Sequence, residues 1–378
     1  HLALPPQQRL RLLQQVVELT GPVDATALHR GLQAVVDRHA ALRTGMQELA
    51  DGTVVQVVHD EVSVPLDTVD FRGVADIDAD IRQVLHAERE RGFDFGRPPL
   101  LRYTLARVDE SKYVLLQSIH HIVADGWSVP VMLRELMAHY GVAEGQSPLP
   151  PATPYGSYLS WLASRDREAS HEAWRTAVAD AGDPIELPSG SPDPEADGEV
   201  RVELLREDTA ALTAAARTRG LTLSTLVHGV WGLLLGRMTG ADDVVFGSTV
   251  SGRGGDLPGI EGMVGLFINT VPARIRFAAT EKVSDVLARW QDEQSLLLEH
   301  QYLGLPELRR VAGLKDLFET LVVFENYPIG DGGIADPTGT VHVTGIDFDE
   351  NPAYPLTLIV VPGDSLTFDL KYDVTRVD

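Results

Sequence analysis

The sequence predicts an α/β protein built from two similar lobes, and three observations support this fold class. Strand-like and helix-like apolar patterns are mixed along the chain without strict alternation, which argues against a doubly wound parallel sheet. The second half repeats the order of strands and helices seen in the first half. The chain also has 378 residues, more than a single hydrophobic core usually serves.

The first half opens with a strand at LLQQVVEL, a turn at GPVD and then a helix. Asp24 in that turn is a good N-cap residue, because its carboxylate can accept the free N–H groups of the first helical turn. Leu28, Leu32, Val35 and Val36 recur at helical spacing, so they are predicted to lie on one buried face.

The rest of the first half alternates between short strands and two further helices. TVVQVVHD, after Asp51 and Gly52, indicates the return strand of a hairpin. A helix is predicted from Val74 to Arg91, with its apolar face inward, and two strands follow at LLRYTLARV and YVLLQSIHH. A helix from Ser128 to Tyr140 is predicted to end at Gly141. The apolar face of the helix from Val74 consists of Ile77, Ile81, Val84 and Leu85.

Two proline- and glycine-rich stretches, EGQSPLPPATPYG and LPSGSPDPEADGE, mark the middle of the chain. Such breaker-rich segments are typical of the boundary between two compact units. We place the boundary between them, near residue 175, so that the predicted lobes are 1–175 and 176–378.

The second half contains a strand at VRVELL, helices over 207–219 and 222–237, and a strand at DVVFGSTV. A glycine-rich loop, SGRGGDLPGIEGM, then leads into VGLFINTVPARIRF. A helix from Val283 to His300, the strand ETLVVFENYP and three more short strands complete the prediction.

Composition excludes several classes of function. Asp and Glu total 55 against 32 Lys and Arg, a net charge of −23, which repels nucleic acid and anionic lipid. The absence of cysteine removes disulfides, thiolate metal sites and cysteine nucleophiles. The longest apolar stretch, Leu226 to Gly236, is too short to cross a bilayer, and no signal segment opens the chain. We therefore expect a soluble, cytoplasmic protein that binds neither nucleic acid nor membrane.

The stretch SIHHIVADGWS places His120 and His121 between a predicted strand and a predicted helix. Adjacent strand residues point to opposite faces, so the two imidazoles cannot both serve one site from regular strand geometry. Three interpretations remain open on these residues alone. The pair is structural, or it contributes to a metal site with Asp125, for which a third ligand is lacking, or one histidine is an acyl-transfer base.

HHIVADGWS resembles the HHxxxDG signature of condensation domains from non-ribosomal peptide synthetases. Five further stretches match the same family in the expected order along nearly the whole chain. They are RHAALRT, YGSYLSWL, GSTVSGRGGDLPGIEGMVGLFINTVPARI, HQYLGLPEL and LVVFENYP.

The resemblance implies a fold like that of chloramphenicol acetyltransferase, with two lobes in a V-shaped pseudo-dimer and a tunnel between them. It implies an acyltransferase that joins a donor acyl or peptidyl thioester to the α-amine of an acceptor aminoacyl thioester. Both substrates would arrive on the phosphopantetheine arms of carrier proteins, so the domain itself binds no cofactor and no metal. The implied partners are an upstream donor carrier, a downstream acceptor carrier and an adjacent adenylation domain, in a pathway to an antibiotic, a siderophore or another natural product.

The resemblance also assigns roles to the signature residues. His121 is the catalytic candidate and His120 the structural one. Asp125 is expected to pair with Arg43 and brace the loop, since a bidentate contact between arginine and carboxylate suits that task. Gly126 is expected to let the backbone come close or to take a positive φ angle.

Other residues are candidates for the substrate passage. Trp127 and Ser128 start the helix after the signature, where Ser128 is predicted to be the N-cap rather than a nucleophile. Asn269 and Asn326 are candidates for hydrogen bonds to substrate amides, and satisfaction by the backbone is an equal alternative for each. The loop over 247–263 is predicted to form the floor of the tunnel, with a mobile surface loop as the alternative.

Three rival functions stay open. Epimerisation domains share the HHxxxD pattern, but DGWSVPVM and GLFINT favour condensation. An acyltransferase that uses free coenzyme A is compatible with the same chemistry. A non-catalytic docking module would tolerate loss of the second histidine, so the presence of His121 argues against it. Heterocyclisation domains carry aspartates in place of His120 and His121, so ring closure is not expected.

Overall fold

A computed structural model describes residues 12–143, 146–182, 184–187, 198–325, 334–349, 354–374, 376 and 377. The described residues form two compact units, each with its own sheet and its own core. The first unit comprises residues 12–163, 257–267 and 334–349, and the second comprises 164–256, 268–325 and 354–377.

This division differs from the single boundary that the sequence predicts near residue 175. The chain leaves the first unit after Ala163, so the helix Arg167–Ala177 belongs to the second unit. Two later stretches, Leu257–Phe267 and the strand His342–Asp349, return to the first unit. A sequence boundary marks where local structure breaks, whereas these returns depend on packing between residues far apart in the chain.

The first unit is built on a mixed six-stranded sheet with the order β11-β12-β1-β6-β5-β4. Only β4 and β5 pair in parallel among its described strands, and a separate hairpin joins β2 to β3. The strands are β1 Leu12–Thr20, β2 Thr44–Glu48, β3 Val54–Val58, β4 Leu66–Asp70, β5 Leu101–Arg107, β6 Lys112–His120, β11 Ile334–Ala335 and β12 His342–Asp349. The helices are α1 Ala25–Arg38, α2 Ile77–Arg91, α3 Ser128–His139 and α4 Tyr155–Ala163.

Local sequence explains the bounds of the first two helices. The Asp24 carboxylate accepts the N–H groups of Thr26 and Ala27, as predicted, and α1 buries the predicted face. Helix α2 begins at Ile77 rather than Val74, because the Asp76 carboxylate caps it by accepting the N–H of Ala79. The buried face of α1 includes Leu28, Leu32, Val35 and Val36.

Helices cover both faces of the first sheet. Residues Leu13, Val17, Leu115 and Ile119 face one way and form a large core with α1 and α3. The residues that alternate with them along the strands point to the opposite face of the sheet, where they form a smaller core with α2. This packing holds the end of β6, which carries His120 and leads directly into His121, between covered surfaces.

The second unit is built on a mixed sheet with the order β7-β14-β13-β10-β8-β9. Strand β10 is parallel to β13 and to β8, and the other described pairs are antiparallel. The strands are β7 Glu199–Glu203, β8 Asp243–Val250, β9 Asn269–Arg276, β10 Thr320–Phe324, β13 Leu356–Val361 and β14 Thr367–Tyr372. The helices are α5 Arg167–Ala177, α6 Arg206–Thr218, α7 Leu223–Thr239, α8 Val283–Leu297 and α9 Leu305–Ala312.

The predicted C-terminal strands are divided between the two sheets. Strand β12 pairs antiparallel with β1 in the first unit, whereas β13 and β14 form a hairpin in the second. Within the segment VGLFINTVPARIRF, strand β9 begins at Asn269. No helix within the described ranges has the length and apolar character needed to cross a membrane.

Candidate active site

The two histidines stand at the junction between β6 and α3. His120 is the last residue of β6, and its N–H donates to the Leu100 carbonyl at 2.9 Å. The chain then turns, with the N–H of Val123 donating to the His120 carbonyl at 3.1 Å. Residues 120–128 are called the signature turn below.

His120 is a buried, oriented imidazole. Its ring lies edge-on to Phe95, with the ring centroids 4.8 Å apart. Its Nδ1 accepts the N–H of Ile122 at 3.1 Å. Because a backbone N–H can only donate, Nδ1 carries no proton, and the neutral ring holds its proton on Nε2. This geometry agrees with the structural role predicted for His120.

His121 lies in the turn and is half-buried, unlike its neighbour. The residues just after it, Val123 and Ala124, are almost completely buried in the core of the first unit. The turn is therefore anchored in the core by Val123 and Ala124, while the His121 side chain stays partly exposed. An imidazole in this position meets the first requirement of a general base, which is a defined location with access to a substrate.

Asp125 is fully buried, and its carboxylate accepts at least three hydrogen bonds. Oδ1 accepts the backbone N–H of Ser128 at 2.9 Å and the Ser128 hydroxyl at 2.7 Å. Oδ2 accepts the backbone N–H of Phe267 at 3.0 Å. Burying a carboxylate is costly unless its oxygens are paired, and these donors supply the pairing.

The expected contact between Asp125 and Arg43 is not formed. The Arg43 guanidinium instead donates from one terminal nitrogen to the carbonyls of His59 and Asp60, the latter at 3.2 Å. Its Nε is buried, and within the described residues it has no hydrogen-bond partner. Arg43 therefore braces the two residues that follow β3. The prediction was wrong because donors nearer to the carboxylate, two of them backbone N–H groups, satisfy it.

The N-cap prediction for Ser128 is also corrected. Ser128 is the first residue of α3, and Trp127 holds the N-cap position without a side-chain capping bond. The Asp125 carboxylate satisfies the Ser128 N–H, which makes Asp125 the capping group of this helix. Ser128 is fully buried, so the prediction that it binds substrate is not supported. Trp127 is half-buried, and its substrate contact stays a prediction.

Residues 263–267, called the clamp segment below, hold the signature turn from across the chain. The Gly265 carbonyl accepts the N–H of Asp125 at 3.2 Å and lies 3.0 Å from the Ser128 hydroxyl. The Gly265 N–H donates to the Ser128 hydroxyl oxygen at 3.2 Å. Gly126 is buried within the turn, and its carbonyl accepts the N–H of Val129 at 3.3 Å.

The clamp segment is the functional element that sequence reasoning missed. Its residues were part of the most specific family match, in the predicted second lobe, and no contact with the signature turn was predicted for them. The available signal was Gly265, since a glycine often lies where another chain segment approaches the backbone closely.

The two asparagines have different outcomes. The Asn269 amide donates to the carbonyls of Gln301 and Leu303, each at 2.7 Å, and its oxygen accepts the N–H of Thr270 at 2.9 Å. Both amide hydrogens are thus used by the backbone, which supports the structural alternative for Asn269. Asn326 lies outside the described residues, so its assignment stays a prediction.

No group of three or more His, Cys, Asp or Glu in the part of the chain that the structure describes is arranged to hold a metal ion. The site instead consists of a half-buried imidazole, a buried imidazole behind it and a capped turn held by a distant backbone segment.

Comparison with known proteins identifies the class. Residues 1–376 match the protein-family model described as Condensation domain. The chain therefore belongs to the condensation-domain family of non-ribosomal peptide synthetases, and the resemblance found in the sequence is confirmed.

Large synthetases contain sequences similar to this chain. A linear gramicidin synthase of Brevibacillus parabrevis is 36% identical over 367 residues, which cover 94% of this chain and 5% of that protein. Bacitracin synthase 3 of Bacillus licheniformis is 32% identical over 375 residues, which cover 95% of this chain and 6% of that protein. The chain thus spans only a small fraction of the length of these relatives.

Solved structures confirm the predicted fold. The starter condensation domain of rhizomide synthetase, solved with C8-CoA and Leu-SNAC, is similar with a TM-score of 0.83 at 20% identity, covering 99% of this chain and 86% of that one. The first condensation domain of the CDA synthetase is similar with a TM-score of 0.79 at 21% identity, covering 96% and 87%. At these identities the likeness concerns the fold alone.

Proposed function

We propose that this condensation domain joins a donor acyl or peptidyl thioester to the α-amine of an acceptor aminoacyl thioester, with His121 acting at the amine. Both thioesters are carried on phosphopantetheine arms, the donor on an upstream carrier protein and the acceptor on a downstream one, and an adenylation domain of the same synthetase is adjacent. The observation that carries the proposal is the contrast between half-buried His121 and buried His120 in a turn anchored at Asp125.

The reaction balances without a cofactor. The amine nitrogen attacks the thioester carbonyl carbon, so a C–N bond forms and the C–S bond breaks. The amine loses one proton, and the thiolate leaving group of the donor arm gains one. A neutral imidazole at His121 can accept that proton during attack or stabilise the charged tetrahedral intermediate by a hydrogen bond.

Holding the two substrates together supplies the larger part of the rate acceleration. An α-amine has a pKa near 8, so a useful fraction is already neutral, and a thioester is an activated donor. Favourable positioning of two reactants is worth about 7–11 kcal/mol. A general base adds roughly 10²–10⁴-fold, or about 3–5 kcal/mol.

The test loads the two carriers, mixes them with the domain and detects the dipeptidyl thioester by intact-protein mass spectrometry. His121→Ala is expected to abolish detectable product while both carriers still bind. His86→Ala, which alters an exposed histidine on α2, is the matched control and is expected to keep wild-type turnover. Turnover of His121→Ala above about a tenth of wild type would contradict a catalytic role at His121.

The same loaded carriers separate the rival functions when chiral analysis of the released amino acid and a reaction with free acyl-CoA are added, because inversion of configuration does not change mass. A docking module gives no condensation product, an epimerisation domain inverts the loaded amino acid without joining it, and a coenzyme A-dependent enzyme accepts the free acyl-CoA in place of the loaded donor carrier. The tunnel between two lobes, the V-shaped pseudo-dimer and the cytoplasmic location stay predictions.

A further inference from the structure

We infer that Tyr155 is a positioning residue for the signature turn, acting through the clamp segment. Tyr155 is the first residue of α4, which is separate in sequence from the signature turn. The inference rests on the proposed function only for its kinetic readout, since the contacts that carry it are structural.

The first contact is a short hydrogen bond. The Tyr155 hydroxyl donates to the Leu266 carbonyl with an oxygen–oxygen distance of 2.6 Å. Leu266 lies between Gly265 and Phe267, the two residues whose backbone groups hold Asp125 and Ser128. The hydroxyl therefore fixes the middle of a three-residue stretch whose neighbouring peptide groups both face the signature turn.

The second contact is the ring of Tyr155 against Gly265. A Cβ atom on Gly265 would lie 2.3 Å from Cδ2 and 2.4 Å from Cε2 of that ring. Those distances are far below van der Waals contact, so only glycine at position 265 allows the ring to stay where it is. The Gly265 backbone is thus held between the Tyr155 ring and the Ser128 hydroxyl.

Aromatic packing fixes the Tyr155 ring itself. It meets Phe267 edge-on with a centroid distance of 5.2 Å and an interplanar angle of 89°. Tyr158, one turn further along α4, lies 4.5 Å from the Phe267 ring centroid. These residues and Met263 belong to one buried cluster. Because close packing against these rings restrains the Tyr155 ring, its hydroxyl is held at a defined position beside the Leu266 carbonyl.

The consequence for His121 follows along the chain. Asp125 lies four residues beyond His121, and its carboxylate and N–H both depend on the clamp segment. Catalysis by positioning is sensitive to displacements of about 1 Å, which can cost about a hundredfold in rate. A small shift of residues 265–267 would therefore reach the imidazole without any change in the residues that touch substrate.

Tyr155→Phe tests the hydroxyl alone. We expect kcat for dipeptide formation to fall about tenfold, with KM for the acceptor carrier within twofold of wild type, at a temperature well below unfolding. Tyr140→Phe is the matched control. It removes a hydroxyl of the same unit that accepts the N–H of Asp24 at 2.8 Å, at the opposite end of α3. We expect Tyr140→Phe to keep wild-type kcat.

A double-mutant cycle tests the ring contact. Gly265→Ala is expected to lower kcat in the wild-type background, because its Cβ strikes the Tyr155 ring. In the Tyr155→Ala background the same change is expected to have no further effect, since the ring is gone. Additive losses in the cycle would overturn the proposed contact path.

Hydrogen exchange provides a readout that does not require activity. Tyr155→Phe is expected to speed amide exchange in both 263–267 and 120–128, whereas Tyr140→Phe leaves both stretches protected. Unchanged exchange in 120–128 would overturn the inference whether or not the wild-type domain is active. Absence of product from the wild-type domain would instead count against the proposed function. Unchanged kcat in Tyr155→Phe, with an active wild type, would overturn the positioning role.

Discussion

Asp125 and Phe267 are joined by a hydrogen bond of 3.0 Å between residues 142 positions apart in the chain. This bond links the signature turn to the clamp segment within one unit. It replaces the expected ion pair between Asp125 and Arg43, and it means that a backbone N–H helps to satisfy a buried carboxylate. Two variants distinguish the two arrangements.

Asp125→Asn is expected to lower the free energy of unfolding by about 2–3 kcal/mol, because its amide nitrogen cannot accept, which leaves one of the donors around residue 125 without an acceptor. Arg43→Met is expected to lower the free energy of unfolding independently of Asp125, because the hydrogen bonds to the carbonyls of His59 and Asp60 are lost. Urea denaturation of the double variant is expected to give the sum within about 0.5 kcal/mol. A coupling above about 1 kcal/mol would restore the ion-pair hypothesis.

Asn269 is expected to matter for stability rather than for substrate affinity. Asn269→Ala removes both donors to the carbonyls of Gln301 and Leu303 and is expected to lower the free energy of unfolding by about 2–3 kcal/mol. Asn269→Asp is expected to be more damaging than alanine, because it places a carboxylate against two carbonyl oxygens. Unchanged unfolding with a raised KM for the acceptor would favour the substrate-binding alternative instead.

His228 on α7 is expected to weaken the second unit at acid pH. Its Nδ1 donates to the Ser224 carbonyl at 2.8 Å, so Nε2 accepts the Ser248 hydroxyl at 2.8 Å and the ring is neutral. Burial lowers the pKa of His228 from 6.5 to about 4. Between those two values the unfolded chain binds more protons, so the free energy of unfolding falls as pH drops from about 6.5 to about 4.

His228→Gln is expected to remove this part of the pH dependence, worth up to about 3 kcal/mol across that interval. Urea midpoints measured from about pH 7 to about pH 4 for both proteins give the difference directly. His86→Gln, at an exposed position, is the control and is expected to retain the wild-type slope. An unchanged slope in His228→Gln would show that His228 is not the titrating group.

Gln15 and Gln117 are expected to limit the stability of the first unit. They are opposite each other on β1 and β6 and only 0% and 1% exposed. Among the described residues, Gln15 Nε2, Gln15 Oε1 and Gln117 Nε2 have no hydrogen-bond partner. Unpaired buried polar groups cost about 1–3 kcal/mol each, so Gln15→Met and Gln117→Met are each expected to raise the unfolding midpoint.

Gln14 provides the matched control, because it is equally buried but hydrogen-bonded at both ends of its amide. The nitrogen donates to the Leu85 carbonyl and the Ser118 hydroxyl, and the oxygen accepts from Arg89. Gln14→Met is therefore expected to destabilise the protein. If Gln15→Met and Gln117→Met destabilise it as well, a partner such as an ordered water must satisfy those amides.

Much of the fold could be predicted because it depends on local chemistry. The Asp24 cap, the inward face of α1 and the strand that ends at His120 follow from capping and from apolar periodicity. The prediction that His120 and His121 have different surroundings also holds, although the reason is that His120 ends β6 whereas His121 begins the turn. The family resemblance extended these local predictions to nearly the whole chain.

The rest depends on contacts between distant segments. The start of α2 at Ile77 is set locally, because Asp76 is its N-cap. The return of residues 257–267 and of β12 to the first unit had no comparable local signal. Arg43 was assigned to the wrong partner for the same reason, since opposite charge identifies a compatible pair but not a neighbouring one.

By itself, the sequence determined the fold class, the family and the position of the catalytic candidate, because periodicity, capping and motif order are written in neighbouring residues. Only the tertiary structure decided what holds that candidate in place. A buried carboxylate takes whichever donors packing brings within reach, and here packing brings the backbone of Gly265 and Phe267 to the signature turn, with Tyr155 behind them.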